Sequence, residues 1–358
     1  MNVNMRKRIG LSAAVVLLFV GCGGGPGQRA GIPALQGPYL GQTPPGMTSG
    51  IFAPGVVSTG LEETVITFMP DGLECYWTVL FSRFETILTS RMANGQWTEP
   101  EVAPFSGRYY DGWPAVRPDG KRMFFHSARP LGKAAPGPSA TFNIWYVDRT
   151  ENGWSEPLAV GPPVNGGENA TCPSVTRDGT IYLSKRFPDD TEKICRSRFV
   201  NGAYQELEIL PASINVSKDN FHAYVAPDGS CLIKPVYGRA DAIGGQWNYY
   251  VSFRDGDDRW SDLVNLGKEV NSVRCGGIPS ISADGRFLFF QAWTPVELIP
   301  ALERKYSFKE LVEKEIRNPS VSTNDIYWIS AKIIDELRPK TPNNGLAPKR
   351  ASGRGQVR

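Results

Sequence analysis

The sequence predicts an all-β fold: a single β-propeller of five four-stranded blades, with six blades as the alternative. Three observations predict it. A Pro-Asp-Gly turn, exact or degenerate, occurs five times in the 358 residues. Each copy is followed by an apolar run, and a second turn carrying an aromatic and an acidic residue recurs in phase with it. Four short strands about every 50 residues form the blade unit of a propeller.

The first turn reads Pro70-Asp71-Gly72, Pro118-Asp119-Gly120, Arg177-Asp178-Gly179, Pro227-Asp228-Gly229 and Ala283-Asp284-Gly285, with Asp-to-Asp spacings of 48, 59, 50 and 56. Asp-Gly between two apolar runs is a hairpin signal, because both residues tolerate the positive φ of tight turns. The runs before it, such as Val65-Ile66-Thr67-Phe68 and Ala223-Tyr224-Val225, are expected first strands. Those after it are expected second strands: Cys75-Tyr76-Trp77, Met123-Phe124-Phe125, Ile181-Tyr182-Leu183, Cys231-Leu232-Ile233 and Phe287-Leu288-Phe289-Phe290. They do not alternate, as expected of strands buried on both faces between neighbouring blades. Third strands are expected at Thr86–Thr89, Ile144–Val147, Lys193–Arg196, Tyr249–Val251 and Ile326–Ile329. The second turn then reads Asn94-Gly95-Gln96-Trp97, Asn152-Gly153-Trp154-Ser155-Glu156, Asn201-Gly202-Ala203-Tyr204 and Asp258-Arg259-Trp260-Ser261. Short fourth strands such as Glu101–Pro104 and Leu263–Leu266 complete the unit.

Blade five lacks a fourth strand after Ile329; Ala331–Leu337 reads as a short helix. Ile51-Phe52-Ala53-Pro54 is similar to Val102-Ala103-Pro104-Phe105, so it is expected to pair with the Tyr327 strand and close the ring, removing two exposed edges. Residues 292–323 form an insertion in blade five. Its Ser307-Phe308-Lys309-Glu310 capping box and the spacing of Phe308, Leu311, Val312 and Ile316 predict a helix, expected either packed on the rim or as a lid over one mouth of the channel.

This repeat resembles the WD40-like propeller repeat of the TolB type, found in many exported bacterial proteins, over roughly residues 51–335. Pro118-Asp119-Gly120-Lys121 followed by Met123-Phe124-Phe125 carries the resemblance; Arg177 and Ala283 in place of Pro, and the insertion, depart from it. The resemblance implies a fold rather than a chemistry, since propellers host many functions.

The ends suggest export. Arg6, Lys7 and Arg8 precede an apolar run from Ile9 to Val20, too short for the roughly 20 residues of a membrane span. Phe19-Val20-Gly21-Cys22 is similar to a lipobox, with Cys22 as the lipidation site. The expected organisation is a lipoprotein signal peptide over 1–21, a flexible tether over 22–48, the propeller over 49–337 and a basic disordered tail over 338–358. Three of the 39 basic residues lie in the signal and six after Leu337, so the 30 left in 22–337 face all 36 acids, net −6. The tail is read as solvated, not as a nucleic-acid site. Besides Cys22, five cysteines remain, and none lies in a CxxC pair. Cys75, Cys195 and Cys231 fall inside apolar strands and are read as packing residues, leaving any disulfide pairing open.

No nucleophile elbow, P-loop or dinucleotide motif is present. Asp255-Gly256-Asp257-Asp258 lacks EF-hand spacing and reads as a solvated turn. No metal, cofactor or catalytic residue is assigned. An acid lies eight to ten residues before the turn Asp in four blades: Glu63, Asp111, Glu168 and Asp219. This is expected at one mouth of the central channel, either tying turns or forming a binding mouth with Trp113, Phe221 and His222. The expected function is a non-catalytic, monomeric binding or scaffold protein of the cell envelope, held on the periplasmic side of a bacterial membrane by a lipid anchor alone. Its partner would be an envelope protein or a glycan. The alternative is a glycosidase-like enzyme with two channel carboxylates about 5–9.5 Å apart.

Overall fold

The structure, a computed structural model, describes residues 35–81, 84–132, 141–244, 247–272, 274–293, 305, 307 and 324–339. The signal, Cys22, nearly all of the blade-five insertion and the tail from 340 onward lie outside the described residues. Among the described residues, five antiparallel blade sheets follow one another along the chain, and Phe199–Val200 pairs with Ala203–Tyr204 in a separate two-stranded ribbon. Blade one pairs Glu62–Phe68, Glu74–Phe81, Phe84–Ala93 and Glu101–Val102. Blade two pairs Asp111–Val116, Arg122–Ser127, Asn143–Thr150 and Leu158–Ala159. Blade three uses Ala170–Val175, Ile181–Arg186, Glu192–Ser197 and Glu208–Ile209. Blade four uses Tyr224–Val225, Cys231–Tyr237, Trp247–Phe253 and Val264–Asn265. Blade five uses Arg274–Ile281, Phe287–Trp293, Asp325–Ser330 and, from the other end of the chain, Gly50–Ile51.

The first strands touch in order around the ring, and that of blade five returns to that of blade one. The expected closure forms, with Ile51 opposite Tyr327 and Gly50 opposite Trp328. The expected short helix also forms, as Lys332–Leu337.

The five Asp-Gly turns share one geometry. Each glycine has φ between 70° and 89° and donates its N–H to the carbonyl three residues back at 2.8–2.9 Å. Each Asp Oδ1 accepts the N–H two residues on at 2.9–3.1 Å. Only the glycine is left-handed, so this is a type I turn closed by a glycine bulge, in which Pro suits the second position.

The aromatic of the second turn is a wedge between blades. Trp154 packs edge-on against Tyr76 of blade one and donates its indole N–H to the Tyr76 hydroxyl at 2.6 Å. Trp260 packs in the same way on Tyr182 of blade three. Trp97 has no preceding blade in sequence; its indole N–H goes to the Gly37 carbonyl at 2.8 Å. Asp258, read as part of a solvated turn, instead pairs with Arg196, Arg198 and Arg254 and so ties blade four to blade three.

A second device escaped the sequence reading. After each fourth strand, one side chain clamps the first half of the third strand of its blade. Asn165, Asn215 and Asn271 accept the N–H of Ile144, Ile194 and Tyr249, each at 2.8 Å, and donate back to the carbonyl of the same residue. Ser58 does both for Ile326, and Ser106 accepts the Ile87 N–H.

The interface between blades five and one is sealed by aromatic rings. Phe52 lies 5.1 Å from both Phe289 and Trp328, and Tyr39 lies 5.0 Å from Phe287 and 5.4 Å from Phe68. The Tyr39 hydroxyl donates to Asp284 at 2.6 Å. The tether expected over 22–48 is therefore too long: Tyr39 and Leu40 are buried apolar residues that belong to the closing interface.

Replacing Asn271 by Ala leaves the buried Tyr249 N–H without its partner, while the Tyr249 carbonyl keeps the Leu266 N–H at 3.1 Å. The expected loss is about 1–3 kcal/mol of stability in denaturant unfolding; a change near zero would contradict the clamp. At the closing interface, Glu63 is fully buried. Burial pushes its carboxyl up to about 9, against the lowering effect of the Thr59 hydroxyl and N–H. The folded state then holds a proton that the unfolded state releases near the ordinary value of about 4.5. The stability due to Glu63 is therefore complete below that value and is lost as pH rises through 9. Melting temperature between pH 5 and 9 is expected to fall less steeply in Glu63→Gln than in the wild type.

Candidate functional site: the aromatic mouth of the channel

The first strands line the channel, and four of them carry a bulge at the same place. Register shifts fall between Glu63 and Ile66, Gly112 and Ala115, Thr171 and Ser174, and Gly276 and Ser280. Trp113, Cys172 and His222 hold left-handed φ values of 57°, 55° and 60°. Such values in non-glycine residues cost of order 1–2 kcal/mol each and persist where surrounding structure imposes them. All three lie six residues before the turn Asp, as do Val65 and Ile278. Val65, Cys172 and Ile278 form a buried cluster with Trp113 and Tyr224 packed against it. This cluster divides the channel. On the Asp-Gly side is a cavity of about 130 Å³ lined by Pro70, Pro118, Pro173, Arg177 and Pro227, among others. On the other side opens a pocket of about 410 Å³ built from blades one to four.

The mouth pocket is walled by Tyr110, Trp113, Phe142 and Phe221, with Glu85, Glu192, His126 and His222 among its polar groups. It holds both histidines of the chain. Trp113 stands between them, its ring centroid 4.6 Å from His126 and 4.5 Å from His222. The contact series runs outward from His126 to Phe142 and Tyr110 on one side, and from His222 to Phe221, Trp247 and Tyr237 on the other. The Trp113 indole N–H donates to Thr64 Oγ1 at 3.0 Å. His126 Nε2 lies 3.0 Å from Glu85 Oε2, and both side chains are almost wholly buried. A Cβ on Gly112 would lie 2.5 Å from the Glu85 carboxyl carbon, so this close approach requires glycine. Burial holds His222 neutral by lowering its imidazole to about 3. The Nδ1 atoms of His126 and His222 are buried and have no hydrogen-bond partner. Burial also raises the Glu192 carboxyl above its ordinary value, although Arg186 pairs with its Oε2 at 3.0 Å.

The site residues read from sequence divide into two groups. Trp113 and His222 meet in the pocket, with Phe221 beside them. The four acids do not line it. Asp111 is fully buried and bound by Arg129, Ser127 and Ser106. Glu63 takes the hydroxyl and N–H of Thr59. Both carboxylates face the loop from the preceding blade, two residues away from the position that enters the channel. Glu168 and Asp219 are exposed. The carboxylates that do line the pocket, Glu85 and Glu192, open third strands just before Thr86-Ile87-Leu88 and Lys193-Ile194-Cys195. An acid directly ahead of a third-strand run was the available signal.

No family model and no curated protein matches the chain. The fold and its bulged, partly plugged channel define a five-bladed β-propeller, and the solved structures it is similar to include TolB-type propellers. TolB from Acinetobacter baumannii is 17% identical with a TM-score of 0.43, over 65% of this chain and 49% of that one. This chain thus spans about half the length of that TolB. A putative TolB from Agrobacterium tumefaciens is 15% identical with a TM-score of 0.42, over 65% and 70% of the two chains. A GH62 hydrolase solved with xylotriose is 11% identical with a TM-score of 0.45, over 79% and 97%. The propeller assignment itself rests on strand pairing and ring contacts. Among the described residues, no cluster of three or more His, Cys, Asp or Glu side chains is placed to hold a metal ion. Among them too, no helix is long and apolar enough to cross a membrane.

Cys75, Cys172, Cys195, Cys231 and Cys275 are all buried, and none of them forms a disulfide. Burial raises every one of these thiols, Cys195 to about 12 and Cys231 to about 11. A thiol reagent at neutral pH is expected to label none of the five in the native protein and all five in denaturant. Rapid native labelling at Cys172, which borders the pocket, would show that the plug opens.

Proposed function

We infer that this protein is a non-catalytic binding propeller of the bacterial cell envelope, anchored through a lipid on Cys22, which recognises a protein or glycan partner at the aromatic mouth of its channel. The observation that carries this reading is the 410 Å³ pocket with partly exposed aromatic walls and two buried, unpartnered imidazole nitrogens. Open, largely apolar pockets with a few convergent polar groups are the usual form of ligand sites. The catalytic alternative, a glycan-acting enzyme, draws on Glu85 and Glu192 sharing one pocket. Glu85 is engaged by His126 and Glu192 by Arg186, so neither carboxylate is the unpaired acid that such chemistry uses.

A photo-cross-linking residue at Tyr237, an exposed rim position next to Trp247, is expected to capture an envelope component in intact cells. The same residue at Val102, exposed on the outer edge of blade one, is expected to capture none. Equal capture at both positions, or capture at Val102 alone, would refute recognition at the mouth. Cys22→Ser is expected to move the protein from the membrane to the soluble fraction.

A further inference from the structure

We propose that the mouth pocket takes the primary ammonium group of a basic protein partner, a lysine side chain or a free N terminus. This rests on the reading of the mouth as the binding site and adds the chemistry of what binds there.

The lining residues carry charge of one sign. Glu85 and Glu192 are the ionisable acids, and among the described residues no Lys or Arg lines the pocket. The acceptors among the lining groups include the carboxylates of Glu85 and Glu192, and the donors include the Tyr110 hydroxyl and the Asn169 amide. His126 Nε2 lies 3.0 Å from Glu85 Oε2, and its buried Nδ1 has no partner. His222 is held neutral, so one of its ring nitrogens is also an acceptor. Arg186 engages only Oε2 of Glu192. The indole donor of the pocket, Trp113 Nε1, is already committed to Thr64. An ammonium group brings three N–H donors and a positive charge, which the two carboxylates can accept.

The aromatic walls favour the same ligand. Tyr110, Trp113, Phe142 and Phe221 are each partly exposed around the pocket, and ring faces attract a desolvated cation. The net charge of −6 over 22–337 draws cations towards the body as a whole. The nearby buried lysines do not oppose this. Lys185 Nζ is directed to the carbonyls of Gly166 and Glu168, and Lys234 Nζ to the Ile214 carbonyl and Asn220.

The test is calorimetric titration of the full chain with Nα-acetyl-lysine methylamide, its Nε-acetylated form, tetramethylammonium, a short peptide with a free N terminus, its N-acetylated counterpart, and xylotriose. Binding is expected for the lysine probe or the free-N-terminal peptide; which of the two is tighter identifies the source of the ammonium. Acetylation of the amine should weaken binding at least about tenfold, as should Glu192→Gln, and added salt should weaken it further. Tetramethylammonium, which has charge without donors, should bind more weakly than the lysine probe. Glu85 is buried against His126, so Glu85→Gln is read only if its melting temperature matches the wild type; Glu192→Gln carries the test otherwise. Unchanged affinity on amine acetylation, or no binding of either amine at millimolar concentration, overturns the ammonium assignment. Binding of xylotriose that is lost in Phe221→Ala would overturn it while leaving the mouth as the ligand site. Failure of every probe together with no cross-link at Tyr237 would remove both.

Discussion

The structure depends on radial stacking of sheets that are apolar on both faces. A single blade such as Arg122–Ser127 with its neighbours has no way to hide Phe124 and Phe125 by itself, because these adjacent residues point to opposite sides of the sheet. Phe125 packs into the cluster shared with blade one, and Phe124 into the cluster shared with blade three. Every blade thus needs two neighbours, and a chain of blades is stable only if it closes. This is why blade five borrows Gly50–Ile51 and why Tyr39 and Phe52 fill its junction with blade one. The wedges at Trp154 and Trp260 and the side-chain clamps at Asn165, Asn215 and Asn271 set the spacing that the apolar faces alone would leave loose.

Closure also creates the site. Five first strands converge on one axis, and at one shared position each directs a residue towards the channel. Identical residues there would give a symmetric plug. Instead Val65, Trp113, Cys172, His222 and Ile278 differ, and the departure from symmetry opens a pocket on the side of blades one to four. The left-handed backbone at Trp113, Cys172 and His222 is strain that the packed ring sustains. Strained, differing residues at a position that could have been uniform are more easily explained by recognition than by stability.

The electrostatics fit that division of labour. Acids near the mouth are spent in two ways. Asp111 and Glu63 are buried in hydrogen-bond networks that fasten one blade's loop to the next. Glu85 and Glu192 border the pocket with aromatic rings around them. Cations are directed elsewhere: burial lowers the Lys234 amine to about 7, and its donors serve the carbonyl of Ile214 and the side chain of Asn220 rather than the cavity.

The repeat was legible from sequence because its physics is local. An Asp-Gly turn is specified by the residues within it, and a strand buried on both faces is an uninterrupted apolar run. The turns, the strand order and the closing strand therefore follow from the letters alone. Trp113 and His222 could be placed near the mouth because their distance from the turn Asp is set along one chain segment. The carboxylates could not be placed in the same way. Whether an acid eight residues before a turn enters the channel or the blade junction depends on a bulge, and on which loop lies across from it in the next blade. Likewise the clamp asparagines, the packing of Tyr39 and the meeting of Glu85 with His126 join residues from separate turns of the ring. Those contacts exist only once the sheets have stacked, which is why tertiary structure alone decided them.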